Sequence, residues 1–257
     1  MQKTPRPRCF AFNRRAAPLT RLAGAGLLLL AAASARADEA GCTGAGLALD
    51  ANGAKLANLD SDADGRLDIL AIGSSSTEGV GASSPANAYP ARLKEELARE
   101  SGIAADVKNA GVGGELAAKT LQRLKRALKV GWAELVIWQV GTNDAMAGVD
   151  EALFRSTVES GVAAARAAGV PLLLIGPQFT RKAPDEPRYE RFVAIVNQIG
   201  ALDHVPVLSR FAMMQRRGAR AALAMLSGDG LHMNDLGYQC IAHALAEAIE
   251  GAAGAKL

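Results

Sequence analysis

This chain of 257 residues lacks the motifs of several large enzyme classes. It has no His-Glu-x-x-His motif and no cluster of cysteine and histidine, so the sequence does not support metal catalysis. No Gly-x-Gly-x-x-Gly follows the first apolar run, and residues 111–114 match that dinucleotide-binding motif poorly. Aromatic residues make up only 4% of the chain, which argues against a broad lipid-binding cleft. We therefore expect no metal and no other cofactor.

Acidic residues are absent from the N-terminal segment, and this uneven distribution determines the net charge. Seven of the 29 basic residues lie within residues 1–37, whereas the rest of the chain carries 22 basic and 26 acidic residues. The formal charge of +3 therefore comes from the N-terminal segment alone. A nucleic-acid partner is not expected, because the rest of the chain is net negative.

Residues 1–37 have the features of a secretory signal peptide. A basic start precedes an apolar stretch at 22–33, which is too short to span a bilayer. Ala35-Arg36-Ala37 then matches a small-x-small cleavage site. We expect cleavage after Ala37 and a periplasmic or secreted protein with no stable membrane insertion. An uncleaved membrane anchor is the alternative.

Cysteine is scarce as well. Cys9 belongs to the leader, so only Cys42 and Cys240 remain after cleavage. In an oxidising compartment these two are predicted to form a disulfide between the mature N-terminus and the last helix. The alternative is two unpaired thiols, with Cys240 simply filling the core.

The segment after the leader, residues 38–66, is polar and rich in glycine and aspartate, which predicts a loose N-terminal extension. Its run at 60–65 copies the start of a calcium loop, but Ala71 occupies the position of the required glutamate. We interpret this run as a solvated acidic turn.

Residues 67–252 alternate apolar strands with amphipathic helices and contain no linker, which predicts one α/β domain with a mostly parallel five-stranded sheet.

The strands and helices of this domain are predicted from hydrophobic patterning. Strands are expected near 67–72, 106–109, 135–140, 172–175 and 205–208. Helices are expected near 89–100, 115–129, 151–168, 190–202 and 234–249.

Small and polar residues are concentrated in four segments at the ends of the predicted elements. Three follow predicted strands, at 73–77, 109–115 and 141–144, and the fourth, at 229–232, opens the last helix. The carboxyl ends of parallel strands meet at one edge of the sheet, so the first three segments are expected to face one another. The fourth opens the final helix, from where its aspartate and histidine can point back over that edge. Together they supply a hydroxyl, an imidazole, carboxylates, glycine N–H groups and an amide, which is the set of groups that acyl transfer requires.

The four segments resemble the four sequence blocks of the SGNH hydrolases, also called the GDSL esterase/lipase family. Gly73-Ser74-Ser75-Ser76-Thr77 is similar to the first block, except that Ser74 replaces an aspartate. The other three blocks match in order, over roughly residues 67–249. The resemblance implies a flavodoxin-like three-layer α/β/α sandwich. It also implies a nucleophile at Ser75, a base and its carboxylate at His232 and Asp229, and an oxyanion hole formed by Ser75, Gly114 and Asn143.

The resulting hypothesis is a serine esterase that forms an acyl-enzyme. The expected partner is a small-molecule or saccharide ester, with a short acyl group such as acetyl on a carbohydrate. The loop at 177–185 is expected to line the pocket. Arg181 and Lys182 in this loop either favour an anionic substrate or are solvated surface charges, which are commoner. The alternatives are an O-acyltransferase that uses the same triad, a lysophospholipase or thioesterase-type lipase, and a non-catalytic binding module.

Overall fold

The computed structural model describes Cys42, Leu59 and residues 64–254. These residues all belong to one compact unit, Asp38–Leu257. The predicted signal peptide at 1–37 and nearly all of the predicted extension at 38–66, including most of the acidic turn at 60–65, lie outside the described residues.

Five parallel strands form a single sheet in the order β2-β1-β3-β4-β5. This order is that of flavodoxin-like proteins, in which the first strand lies inside the sheet and ligands bind beyond the carboxyl ends of the strands. The predicted three-layer α/β/α fold is therefore confirmed. The strands are β1 (Leu67–Gly73), β2 (Ala105–Gly111), β3 (Leu135–Gln139), β4 (Leu172–Ile175) and β5 (Val207–Leu208).

Helices connect the strands and cover both faces of the sheet. A 3-10 turn at Pro85–Asn87 precedes α2, and α2 continues as a π-helical turn, Leu97–Ser101. The helices are α1 (Ser75–Glu78), α2 (Tyr89–Glu96), α3 (Ala117–Val130), α4 (Thr142–Met146), α5 (Glu151–Ala167), α6 (Glu186–Asp203), α7 (Arg210–Arg216), α8 (Ala219–Ala224) and α9 (Asp235–Gly254).

The two faces of the sheet bury two separate apolar cores. In β1, Ile69 and Ala71 face the core formed with α2, α7, α8 and α9, whereas Leu70 and Ile72 face the core formed with α3, α5 and α6. Successive side chains of a strand point to opposite faces, and here both faces are covered. This arrangement explains why residues 69–72 of β1 are apolar without a break.

The structure differs from the sequence prediction at several boundaries. Helix α6 begins at Glu186, before the predicted start at 190, because the Asp185 side chain accepts a hydrogen bond from Arg188 N and caps the helix. Strand β5 is limited to two residues, since Val205 N bonds to the end of α6 and Pro206 has no N–H to donate. Four short helices, α1, α4, α7 and α8, were not predicted.

Candidate active site

Ser75 begins helix α1 immediately after β1, at the carboxyl edge of the sheet. The turn before it is tightly packed, because a methyl group at Gly73 would lie 2.4 Å from Thr77 Oγ1 and 2.8 Å from Gln139. Ser74 donates from both its backbone N and its Oγ to Gln139 Oε1, at 2.9 and 3.0 Å. These contacts hold the chain in the conformation that directs Ser75 out of the sheet edge.

The imidazole of His232 lies against the hydroxyl of Ser75. Its Nε2 is 3.0 Å from Ser75 Oγ, although the two residues are 157 positions apart in sequence. Its Nδ1 is 2.5 Å from Asp229 Oδ2. With Nδ1–H donating to the carboxylate, the Nε2 lone pair is directed at the serine hydroxyl. The three side chains thus form one continuous hydrogen-bonded chain.

Asp229 is fixed by its own short loop. Its Oδ1 accepts hydrogen bonds from Leu231 N at 2.8 Å, His232 N at 2.9 Å and Ser227 Oγ at 2.8 Å. Partial desolvation acts to raise the pKa of Asp229, but the hydrogen bonds from the imidazole, the two backbone N–H groups and the serine outweigh it and hold this pKa well below its usual range. The residue therefore stays ionised beside the imidazole.

The glycine loop after β2 approaches the other side of Ser75. Gly114 has a φ of +76° and is exposed, and a methyl group there would meet nothing within 4 Å. A methyl group at the preceding Gly113 would lie 4.0 Å from the Cβ of Ser75. Sequence reasoning singled out Gly114 and missed the close approach of Gly113, because both glycines fit the same block.

Asn143 is half-buried in α4, and its side chain is held by this glycine loop. Its Nδ2 donates to the carbonyl of Glu115 at 2.9 Å. A carboxamide nitrogen carries two hydrogens, so this bond orients the group and leaves a second donor. The structure therefore links Asn143 to the loop that carries Gly114.

Asp144 has a structural role next to Asn143. Its two carboxylate oxygens accept from Ala117 N at the start of α3, at 3.0 and 3.2 Å. Burial raises the pKa of Asp144, and backbone hydrogen bonds from Ala117, Asp144 itself and Gly141 partly offset that effect. Asp144 ends the Gly-x-Asn-Asp segment, where an aspartate is expected to brace the turn through backbone N–H groups, with catalysis as the alternative. In the structure its carboxylate binds the first N–H of α3.

Arg123 of α3 braces the glycine loop from below. It forms an ion pair with Glu115 at 2.6 Å and donates to the carbonyls of Ala110 at 2.8 Å and Gly73 at 3.1 Å. One side chain thus joins the ends of β1 and β2 to the loop between β2 and α3. Sequence patterning did not identify this residue, because its partners come from three separate segments.

The mouth of the site combines small apolar surfaces with opposite charges. Val80 and Val112 are 38% and 43% exposed. The Glu78 carboxylate lies beside the glycine loop, with Oε2 at 2.9 Å from where a methyl group on Gly113 would be. The Lys182 side chain lies 3.3 Å from where a methyl group on Gly230 would be. The predicted pocket loop therefore does reach the Asp229–His232 segment.

Cys42 and Cys240 are joined by a disulfide in the structure, with Cα atoms 5.0 Å apart. Both residues are buried, and Cys240 lies in α9.

In the described part of the chain, no three His, Cys, Asp or Glu side chains are grouped as a metal would require. Over the same residues, no helix is both long enough and apolar enough to cross a membrane.

Comparison with known sequences identifies relatives over most of the described domain. The family model described as the non-GDSL lipase-like family matches residues 45–255. Esterase TesA of Pseudomonas aeruginosa is 28% identical over 165 residues, which cover 64% of this chain and 78% of that protein.

Solved structures share the fold. The lipase/acylhydrolase from Enterococcus faecalis superposes with a TM-score of 0.64 at 23% identity, over 72% of this chain and 96% of that one. AlinE4, an SGNH-hydrolase family esterase, superposes with a TM-score of 0.55 at 26% identity, over 73% of this chain and 96% of that one.

Proposed function

Because this chain belongs to the non-GDSL lipase-like family and is a serine esterase of the SGNH type, we propose that it hydrolyses carboxylic esters through an acyl-enzyme on Ser75. The observation that carries this proposal is the hydrogen-bonded chain from Ser75 through His232 to Asp229. Hydroxyl, imidazole and carboxylate in this order are the groups that activate a serine nucleophile.

The reaction proceeds in two halves. His232 Nε2 accepts the proton of Ser75 as Oγ attacks the ester carbonyl, and the resulting imidazolium gives that proton to the departing alcohol. His232 then takes a proton from water as the water oxygen attacks the acyl-serine, and it returns that proton to Ser75 Oγ as the acyl–oxygen bond breaks and the carboxylic acid leaves. Asp229 holds the imidazole in the required tautomer throughout and stabilises its protonated form.

The oxyanion of each tetrahedral intermediate is stabilised by the backbone N–H groups of Ser75 and Gly114 and by Asn143 Nδ2. The first N–H groups of a helix have no carbonyl partner within it, which leaves the Ser75 N–H for this use. The bond between Asn143 and Glu115 fixes the amide before substrate binds. Each preorganised donor of this kind contributes about 10²–10³ in rate.

A short acyl group, such as acetate on a carbohydrate, fits the mouth of the site best. Val80 and Val112 offer only small apolar surfaces. Glu78 near Gly113 and Lys182 near Gly230 carry opposite charges, so charge does not select between a sugar ester and an anionic lysophospholipid. An acyl-length series on p-nitrophenyl esters tests this, and higher kcat/KM on long chains than on acetate would favour the lipase instead.

The nucleophile assignment is tested by Ser75→Ala. This variant should lose turnover of p-nitrophenyl acetate and covalent labelling by a fluorophosphonate. Ser84→Ala is the matched control, because Ser84 is exposed and its side chain makes no capping hydrogen bond. Activity retained by Ser75→Ala would refute the proposal, and absence of labelling in the wild type would favour a binding module.

Hydrolysis is proposed over O-acyl transfer, and the products distinguish the two. Incubation with an acetyl ester and an excess of a sugar acceptor should release acetate, whereas accumulation of acetylated sugar would identify a transferase.

We further propose export through residues 1–37. The N-terminal sequence of protein recovered from the periplasm or medium should begin at Asp38, and an intact leader would contradict this.

A further inference from the structure

Arg210, the first residue of α7, is completely buried beneath the active site. Each of its three guanidinium nitrogens bonds to the end of a different strand. Nε donates to the carbonyl of Gly176 after β4 at 2.7 Å, and Nη1 to Ser76 Oγ after β1 at 2.9 Å. Nη2 lies 3.5 Å from Thr142 Oγ1 after β3. A single side chain thus connects the three strand ends from which Ser75 and Asn143 are displayed.

No carboxylate pairs with this buried cation among the residues that the structure describes. The ionisable groups that interact electrostatically with it are Tyr189, Tyr238 and Tyr89. Burial raises the pKa of each phenol further above its usual value, so all three stay neutral. A buried charge without a counter-charge is expensive to retain. Burial correspondingly lowers the pKa of Arg210. Packing alone does not account for an arginine at this position.

We propose that Arg210 is a positioning residue of the nucleophile: its guanidinium holds Ser76, Thr142 and Gly176 in the arrangement that keeps Ser75 and Asn143 on the same carbonyl. The guanidinium acts on Ser75 only through the neighbouring Ser76 and touches no reacting atom. This inference rests on the function proposed above, because it assumes that Ser75 is the nucleophile.

The planar guanidinium of Arg210 is required to hold the three strand ends together, and a positive charge alone is insufficient. The three acceptors lie on three different strand ends, and a guanidinium presents its donors in fixed directions that match them. A lysine ammonium is a compact point charge on a flexible stem and cannot hold all three at once. Arg210→Lys should therefore be impaired although it keeps the charge.

Ser76→Ala removes one arm of this arrangement without removing the arginine. We expect kcat on p-nitrophenyl acetate to fall by about 10- to 100-fold with KM unchanged, because small displacements of a reacting group have effects of this size. Ser209→Ala is the matched control, since the Ser209 hydroxyl is also buried but makes no hydrogen bond. Wild-type kcat in Ser76→Ala would overturn the inference.

A double-mutant cycle with Arg210→Lys tests whether the effect of Arg210 passes through Ser76. If it does, Ser76→Ala should lower kcat little further in the Arg210→Lys background. Fully additive losses, or wild-type kcat in Arg210→Lys, would overturn the inference. If Arg210→Lys fails to fold, Thr142→Val serves as the second test: it removes another partner of the guanidinium and should also lower kcat with KM unchanged, and wild-type kcat would overturn the inference. Active Ser75→Ala would instead refute the proposed function, so the two failures are distinguishable.

Discussion

Removal of the Cys42–Cys240 disulfide should strongly destabilise the domain. The bond closes a loop of 198 residues. In the chain-entropy model, a cross-link of this span stabilises the folded state by about 5 kcal/mol. Because whole domains are stable by about 5–15 kcal/mol, the Cys42→Ala/Cys240→Ala variant should lose a large share of its stability.

The free energy of unfolding is measured from urea denaturation at fixed pH, for the wild type and the double variant, with and without reductant. Reduction of the wild type should reproduce most of the shift in midpoint seen in the variant. Reductant should have no effect on the variant itself, which makes it the internal control. At temperatures where both proteins are folded, kcat should be the same, because neither sulfur belongs to the hydrogen-bonded chain of the site.

Two results would refute this reasoning. Detection of two free thiols by alkylation and mass measurement of the non-reduced mature protein would show that the bond does not form. An unchanged urea midpoint after verified reduction would show instead that the bond, though present, does not restrict the unfolded chain as the model requires.

Two further substitutions test the site directly. Asp229→Asn should lower kcat by about 10⁴-fold on p-nitrophenyl acetate, because the imidazole loses the acceptor that fixes its tautomer. The same variant should lose less stability than the wild type when the pH is lowered. The folded-state pKa of Asp229 lies below its ordinary 3.8, so its carboxylate stabilises the fold above that pH, and this contribution disappears as the pH falls. Urea denaturation of both proteins between about pH 2 and 5 measures the difference. Gly111→Ala places a methyl group 2.0 Å from Glu78 N and should destabilise the domain by about 1–3 kcal/mol while lowering kcat, whereas Gly251→Ala, with nothing within 4 Å, should change neither.

The sheet could be predicted from sequence because both of its faces are covered. A strand buried on two sides must be apolar throughout, so β1, β3 and β4 stand out as short runs such as Leu172–Ile175. The same logic places the polar segments after β1, β2 and β3 at one edge of the sheet, however far apart they are in the chain. The pairing of Ser75 with His232 came from the resemblance to the SGNH hydrolase blocks, because the segment at 229–232 precedes a helix and does not end a strand.

Contacts that depend on three-dimensional packing could not be predicted. Arg210 bonds to residues as far as 134 positions away, and no local pattern distinguishes it from a surface arginine. Arg123 was likewise indistinguishable from the other basic residues of α3. Both side chains donate hydrogen bonds to backbone carbonyls and, for Arg210, to hydroxyls of other segments. Hydrophobic periodicity carries no information about such contacts. The short helices α7 and α8 were missed because they have too few turns to show that periodicity.

Ser74 occupies the position at which the family motif has an aspartate, and its contacts explain why serine fits there. Its side chain is only 4% exposed, and its N and Oγ both donate to Gln139 Oε1. An aspartate here would bury a carboxylate against that oxygen, and rotating the amide to face it would leave Ser74 N without its acceptor. Ser74→Asp should therefore destabilise the domain by about 1–3 kcal/mol in urea denaturation, more than Ser74→Ala, which loses one hydroxyl bond. An aspartate variant as stable as the wild type would show that Gln139 does not dictate serine at this position.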